Sequence, residues 1–180
     1  MGMQFMNKAV FLDRDDTLII DVPYNGDPDK VVLMPGARAA CELFRQLDFL
    51  LVVVTNQSGV GRGKITIEDV SAVNERMLEL LGQNLFSAIY CCYDDPHSPR
   101  DHCRKPSPRM LHLASQDLAI DLSKSFMIGD KVDDILAGKS AGCRTVLLNN
   151  KVIPHPSHSE ADFCAKTIVE AAEWIHSQIE

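Results

Sequence analysis

The stretch KAVFLDRDDTLI, residues 8–19, decides the fold. Its apolar core, Ala9–Leu12, has the length of a strand and runs straight into three aspartates, Asp13, Asp15 and Asp16, within four positions. Carboxylates this close repel one another, so they either splay into water or surround a cation. A strand without polar alternation is one covered on both faces, as in a parallel sheet. Sheets of that kind hold their ligands beyond the carboxyl ends of the strands, which is where these acids fall.

Four further apolar segments repeat the pattern: Phe49–Thr55, Ser87–Cys92, Ser125–Asp130 and Arg144–Asn149. Helical signals alternate with them. One helix is expected over Ala37–Leu47, after a Pro-Gly pair. The next starts from Thr66, with Asp69 completing a capping box and Val70, Val73, Met77 and Leu80 forming an apolar stripe. A third is capped by Ser107 with Pro108 at its first position; the others cover Asp133–Ala141, closed by Gly142, and Ile168–Ile179. Strand–helix alternation predicts an α/β fold with a doubly wound, mainly parallel sheet. The 180 residues suit one domain over 1–180 with no separate cap domain. Loops at about 20–33, 56–65 and 93–106 each follow a strand and are the expected walls of a substrate site.

A net charge of −7 argues against a nucleic-acid or anionic-membrane partner. No apolar run is long enough to cross a bilayer. The start, MGMQFMNK, has neither the signature of a signal peptide nor that of a myristoylation site, so a cytoplasmic protein is expected. In that compartment the six cysteines are expected as thiols. Cys41, Cys143 and Cys164 read as buried free thiols, whereas Cys91, Cys92 and Cys103 gather near His97 and His102. A small cap-free chain is expected as a monomer.

Strand ends would bring Asp13, Asp15, Thr55, Lys105 and Asp130 to one crevice. An aspartate is a competent nucleophile toward phosphorus. An anion attacking an anion needs a cation between them, and Mg2+ held by oxygen ligands supplies it. A threonine hydroxyl and a lysine then hold the phosphoryl oxygens as charge redistributes. The residue types therefore point to metal-assisted phosphoryl transfer.

The motifs DRDDT, TNQSG, RKP and GDKVDD, in this order and spacing, resemble those of the haloacid dehalogenase superfamily, phosphatase branch. Within it, FLDRD, VVVTNQSGVGRGK, CRKPSP and MIGDK resemble the sugar-bisphosphate phosphatases that remove the 7-phosphate of a heptose bisphosphate, an early step toward nucleotide-activated heptose. The likeness runs from about Ala9 to Leu148. It implies a HAD-like Rossmannoid fold, with Asp13 forming an aspartyl-phosphate and Asp15 serving as acid and then base. Mg2+ would be held by Asp13, Asp130 and Asp15, the last through its main-chain carbonyl. Thr55 and Lys105 would stabilise the phosphoryl group. Arg104 and Lys131 would recognise the rest of a phosphorylated sugar, between walls formed by Asp21, Val22, Pro23, Tyr24, Asn56, Gln57 and Ser58.

Two departures stand out. Asp16 replaces the glycine usual in the family, and the loop after the third strand replaces two positions of a Cys/His zinc site by Asp94 and Asp101. A structural Zn2+ would then use Cys92, His97, His102 and Cys103, with Asp94 and Asp101 as alternates. Asp134 is expected to partner a metal ligand, Asp133 to be solvated, and Gly59, Gly61 and Gly63 to form a flexible wall. Arg62 suits a solvated loop or a phosphate contact equally. Histidinol-phosphate phosphatase is the alternative activity; from another class, a non-catalytic zinc-loop interaction module is the third reading.

Overall fold

The computed structural model describes residues 6–97, 103–149 and 160–179. Among these residues six strands form one parallel sheet in the order β3-β2-β1-β4-β5-β6. They are β1 (Lys8–Leu12), β2 (Phe49–Asn56), β3 (Phe86–Cys92), β4 (Phe126–Gly129), β5 (Arg144–Leu148) and β6 (Phe163–Ala165). The helices are α1 (Ala37–Gln46), α2 (Ser58–Gly61), α3 (Ile67–Leu81), α4 (Arg109–Leu118), α5 (Val132–Ala141) and α6 (Ile168–Ser177). The doubly wound expectation holds, and among the described residues no helix is long and apolar enough to cross a membrane.

Side-chain alternation along the central strands explains their unbroken hydrophobicity. Val10 and Leu12 of β1, Leu51 and Val53 of β2 and Ile128 of β4 enter one core cluster with residues of α1, α3 and α6. Ala9, Phe11, Val52, Val54 and Met127 enter the other, with residues of α4 and α5. The chain fills one side of β1 with β2 and β3, then crosses to β4 on the other side. This reversal opens a crevice at the carboxyl ends of β1, β2 and β4, where ligands collect in open α/β sheets.

Several local expectations are refined. The Thr66 box forms as expected: Asp69 N donates to Thr66 Oγ1 (3.1 Å) and Thr66 N to Asp69 Oδ2 (2.8 Å). Helix α4 starts one residue later than expected, at Arg109, because Pro108 takes the cap position and its carbonyl accepts from His112 N at 3.0 Å. The segment 56–65 contains the short helix α2 rather than loop alone. Strand β6 was not foreseen; its three residues pair with Val146, Leu147 and Leu148, and Phe163 stacks on Trp174 at 4.8 Å. Cys164 lies on this edge strand and is exposed, against the expectation of a buried thiol.

Candidate active site

Asp13 leaves β1 with its N–H bonded to the Ile128 carbonyl of β4 (3.0 Å), so the strand pairing itself aims it into the crevice. The following turn needs a left-handed residue at Asp16, φ +57°. Aspartate reaches that region more readily than most side chains, and here it adds a bond: Asp21 N donates to Asp16 Oδ1 at 3.1 Å. The departure from glycine is therefore accommodated within the turn.

Lys105 is fully buried and supplies the central cation. Its Nζ donates to Asp13 Oδ1 (2.8 Å) and to the Val54 carbonyl (2.7 Å), and lies 2.6 Å from Asp134 Oδ1. Burial alone would lower the lysine pKa, but Asp13 and Asp134 outweigh it and raise the value. Asn56 holds the Lys105 backbone from both sides, accepting from Lys105 N (3.0 Å) and donating to Lys105 O (3.1 Å). It was expected only as a wall.

Asp134 is satisfied on both oxygens, the second accepting from Lys131 N at 3.0 Å. Its partners are thus Lys105 and the Lys131 N–H, where a partnership with a metal ligand was expected. Its carboxylate packs against Gly129, where a Cβ would collide with Asp134 Oδ2. Asp130 is different. Its Oδ1 is buried with no hydrogen-bond partner, and Lys131 Nζ stands 3.8 Å away. Burial, reinforced by Asp13 and Asp134 and opposed by Lys131, pushes the Asp130 carboxyl up to about 7. Carboxylate oxygens of Asp13, Asp130 and Asp134 lie within 4.8 Å of one another. A buried unpartnered oxygen among mutually repelling carboxylates is a fitting donor for a hard divalent cation, with Asp13 beside it. The Asp15 side chain belongs to no such group among the described residues; Arg14 and Gln57 hold it instead.

Gln57 Nε2 donates to Thr55 Oγ1 (2.8 Å) and to Asp15 Oδ2 (2.9 Å), bridging two expected catalytic groups. Accepting from Gln57 leaves the Thr55 hydroxyl proton free to point elsewhere. A cavity of about 210 Å³ opens above these residues. Of the expected residues, Asp13, Asp15, Asp21, Val22, Tyr24, Asn56, Gln57, Ser58, Arg104, Lys105 and Lys131 line it. Pro23, Thr55 and Asp130 do not, although Thr55 is bonded to the lining residue Gln57. Arg14, Asn25, Gly59, Asp133 and Asp134 also line it. Asp133 is thus half-buried at the site rather than solvated.

The walls are mutually braced. Arg62 Nη1 donates to Tyr24 Oη at 3.0 Å, and its Nε stands 3.9 Å from Asp95. Gly61 N donates to the Tyr93 carbonyl (3.0 Å), and a Cβ on Gly61 would lie 2.5 Å from that oxygen. A Cβ on Gly59 would lie 2.8 Å from the Tyr24 ring. These two glycines permit close packing of three loops; the flexible-wall expectation does not hold for them. Arg62 joins Tyr24 to Asp95 and is not among the residues lining the cavity.

In the third loop, Cys92 and Cys103 are joined as a disulfide, contrary to the expected thiols. Their Cα atoms are 5.6 Å apart, within bridging range. Asp94 Oδ2 sits against both sulfurs, 3.5 Å from Cys92 and 3.4 Å from Cys103, and accepts from Cys103 N at 3.3 Å. Asp94, not His97, is the third member of this group, because His97 is exposed and turned into a bend through its N–H to Asp95 (2.9 Å). Asp101 and His102 lie outside the described residues.

Comparison with known proteins adds an independent line. A HAD-hydrolase-like family model matches residues 102–171. D-glycero-beta-D-manno-heptose-1,7-bisphosphate 7-phosphatase of Pasteurella multocida is 36% identical, covering 94% of this chain and 97% of that one. D-glycero-D-manno-heptose-1,7-bisphosphate 7-phosphatase of Chlorobaculum tepidum is 37% identical over 87% of this chain and 83% of its own. Among solved structures, D,D-heptose 1,7-bisphosphate phosphatase from B. bronchiseptica, complexed with magnesium and phosphate, superposes with a TM-score of 0.80 at 26% identity, covering 95% and 99% of the two chains.

Proposed function

Because the chain belongs to the haloacid dehalogenase-like phosphatases and is a phosphoric monoester hydrolase, we propose that it removes the 7-phosphate of D-glycero-D-manno-heptose 1,7-bisphosphate. The reaction would proceed through an aspartyl-phosphate, as a step toward nucleotide-activated heptose. One observation carries the reading: Lys105 Nζ bridges Asp13 and Asp134 beside the unpartnered Asp130 oxygen. That arrangement supports the reading because it sets a carboxylate suited to attack beside a fixed cation, next to a buried carboxylate oxygen that suits a hard divalent ion.

Mg2+ held by Asp13, Asp130 and the Asp15 carbonyl would neutralise the negative charge of both nucleophile and phosphoryl group. Asp13 attacks phosphorus, and the bond to the sugar oxygen breaks as Asp15 delivers a proton to it. Lys105 and the Thr55 hydroxyl hold the phosphoryl oxygens. Water then attacks the aspartyl-phosphate, giving its proton to Asp15. Arg104 and Lys131, both lining the cavity, suit the remaining phosphate of a bisphosphate. The names of the relatives favour the β anomer as the first to test.

The zinc reading depends on the redox state of the third loop. In a reducing cytoplasm, Cys92 and Cys103 would be thiols and, with Asp94, would offer three donors to a structural Zn2+. Zinc analysis of the reduced protein, paired with thiol labelling, tests it; reactive thiols at Cys92 and Cys103 with no zinc would refute it.

The decisive assay for function is phosphate release with Mg2+ from both heptose bisphosphate anomers and from histidinol phosphate. Phosphorus NMR should find the anomeric phosphate retained. Release of that phosphate, or preference for histidinol phosphate, would overturn the proposal.

A further inference from the structure

The largest of the fully buried side chains is a cation, Arg14, between the two central aspartates in sequence. A guanidinium stays charged and offers only N–H donors, so a buried one needs acceptors in a planar fork. Arg14 finds them on Asp15. Nε lies 3.2 Å from Oδ1 and 3.3 Å from Oδ2; Nη2 lies 3.1 Å and 3.2 Å from the same atoms. The remaining arm, Nη1, donates to Asn74 Oδ1 at 2.9 Å. Asn74 is itself buried on α3 and also reaches Cys91 Sγ at 3.5 Å. Gln57 adds a donor to Asp15 Oδ2 from the other side. Both Asp15 oxygens therefore accept, and the plane of the carboxylate is anchored through Arg14 to a helix outside the cavity lining.

We propose that Arg14, anchored by Asn74, is a positioning residue for the hydrolytic half of the reaction, holding the Asp15 carboxylate where it takes the proton of the attacking water. The inference deepens the proposed function and rests on Asp13 as nucleophile and Asp15 as acid and base. In this half-reaction the water oxygen bonds to phosphorus and the bond from phosphorus to the Asp13 oxygen breaks. The electron pair returns to Asp13, the water proton passes to Asp15, and inorganic phosphate is released. The guanidinium fork acts through Asp15, on which its Nε and Nη2 converge.

The test uses p-nitrophenyl phosphate, whose nitrophenolate departs without a proton, in rapid mixing with Mg2+. For Arg14→Gln, dephosphorylation becomes the slow step. The expected result is a burst of nitrophenolate approaching one per active site, a kcat lowered about 10²-fold, the lower range for a proton-transfer catalyst, and a nearly unchanged kcat/KM. Arg14→Lys, which keeps the charge but not the fork, should fall between this variant and wild type. Asn74→Ala should show the same pattern more weakly. A damaged fold lowers the burst amplitude, whereas the proposal raises it, so the two are separable. Parallel loss of kcat and kcat/KM without a burst, or wild-type kinetics, would overturn the role of Arg14. Asp15→Asn serves as reference: if it accumulates no phosphoenzyme, the acid–base reading itself fails. If it does and Arg14→Gln does not, only the present inference fails.

Discussion

Replacing Lys105 by methionine keeps most of the side-chain volume and removes one charge from the middle of the site. In the native protein that charge faces Asp13 at 2.8 Å and Asp134 at 2.6 Å, with the Val54 carbonyl at 2.7 Å, and all of it is buried. Asp134, almost wholly buried, loses its cation, and the Val54 carbonyl loses its side-chain donor. Removing one partner from a buried ion pair costs about 3–5 kcal/mol, a large share of the roughly 5–15 kcal/mol that holds a typical domain together. At about 2–4 °C per kcal/mol for a chain of this size, metal-free Lys105→Met should melt about 6–20 °C below wild type at pH 7.5. The sign of the pH dependence follows from the acids left behind. Asp130 and Asp134 already have raised pKa values in the folded state, and without Lys105 the Asp134 value rises further. A folded state that binds extra protons gains stability as pH falls. The deficit of the variant should therefore narrow between pH 7.5 and pH 5.5. Thermal melts in EDTA across that range provide the measurement. A variant as stable as wild type at pH 7.5, or a deficit that widens toward acid, would refute the reasoning that Lys105 offsets carboxylate repulsion.

Other consequences are direct. Asp13→Asn should lower kcat by at least about 10⁴-fold, as removal of a nucleophile does, while its melting curve stays cooperative; near-native turnover would remove Asp13 as nucleophile. Gly129→Ala inserts a Cβ into the Asp134 carboxylate and should cost about 10²-fold in kcat, the effect of roughly an ångström of misplacement, measured with a monophosphate. Lys131→Ala should raise KM for the bisphosphate by about 10-fold, equivalent to 1.4 kcal/mol, and for a simple monophosphate much less. Equal effects on both would exclude Lys131 from recognising the second phosphate.

The strands carrying the site were legible because burial on both faces makes each one an uninterrupted apolar run, and because the acids stand at their ends. Asp13, Lys105 and Asp134 were placed from sequence, and the crevice brings them together. What escaped was whatever depends on contacts between distant segments. Asn56 reads as a loop asparagine until the backbone of Lys105, 49 positions away, is found between its amide atoms. Arg14 meets Asn74 across 60 positions, and only a charged residue between two acids hinted at it. Strand β6 has three residues, too few for any period to register, and owes its place to Phe163 stacking on Trp174. The pairing of Cys92 with Cys103 was within reach of sequence as proximity, since both were assigned to one site, but the bond between them depends on redox conditions that residue types do not encode.

The bracing of Tyr24, Arg62 and Asp95, with Gly59 and Gly61 pressed against the neighbouring segments, bears on how substrate preference can be altered. Transplanting a single recognition segment from another phosphatase would sever the joints it shares with the other two and leave a misfitted rim. A successful chimera must exchange all three as a module, together with the small residues at their seams, so preference in this scaffold changes in blocks rather than one substitution at a time.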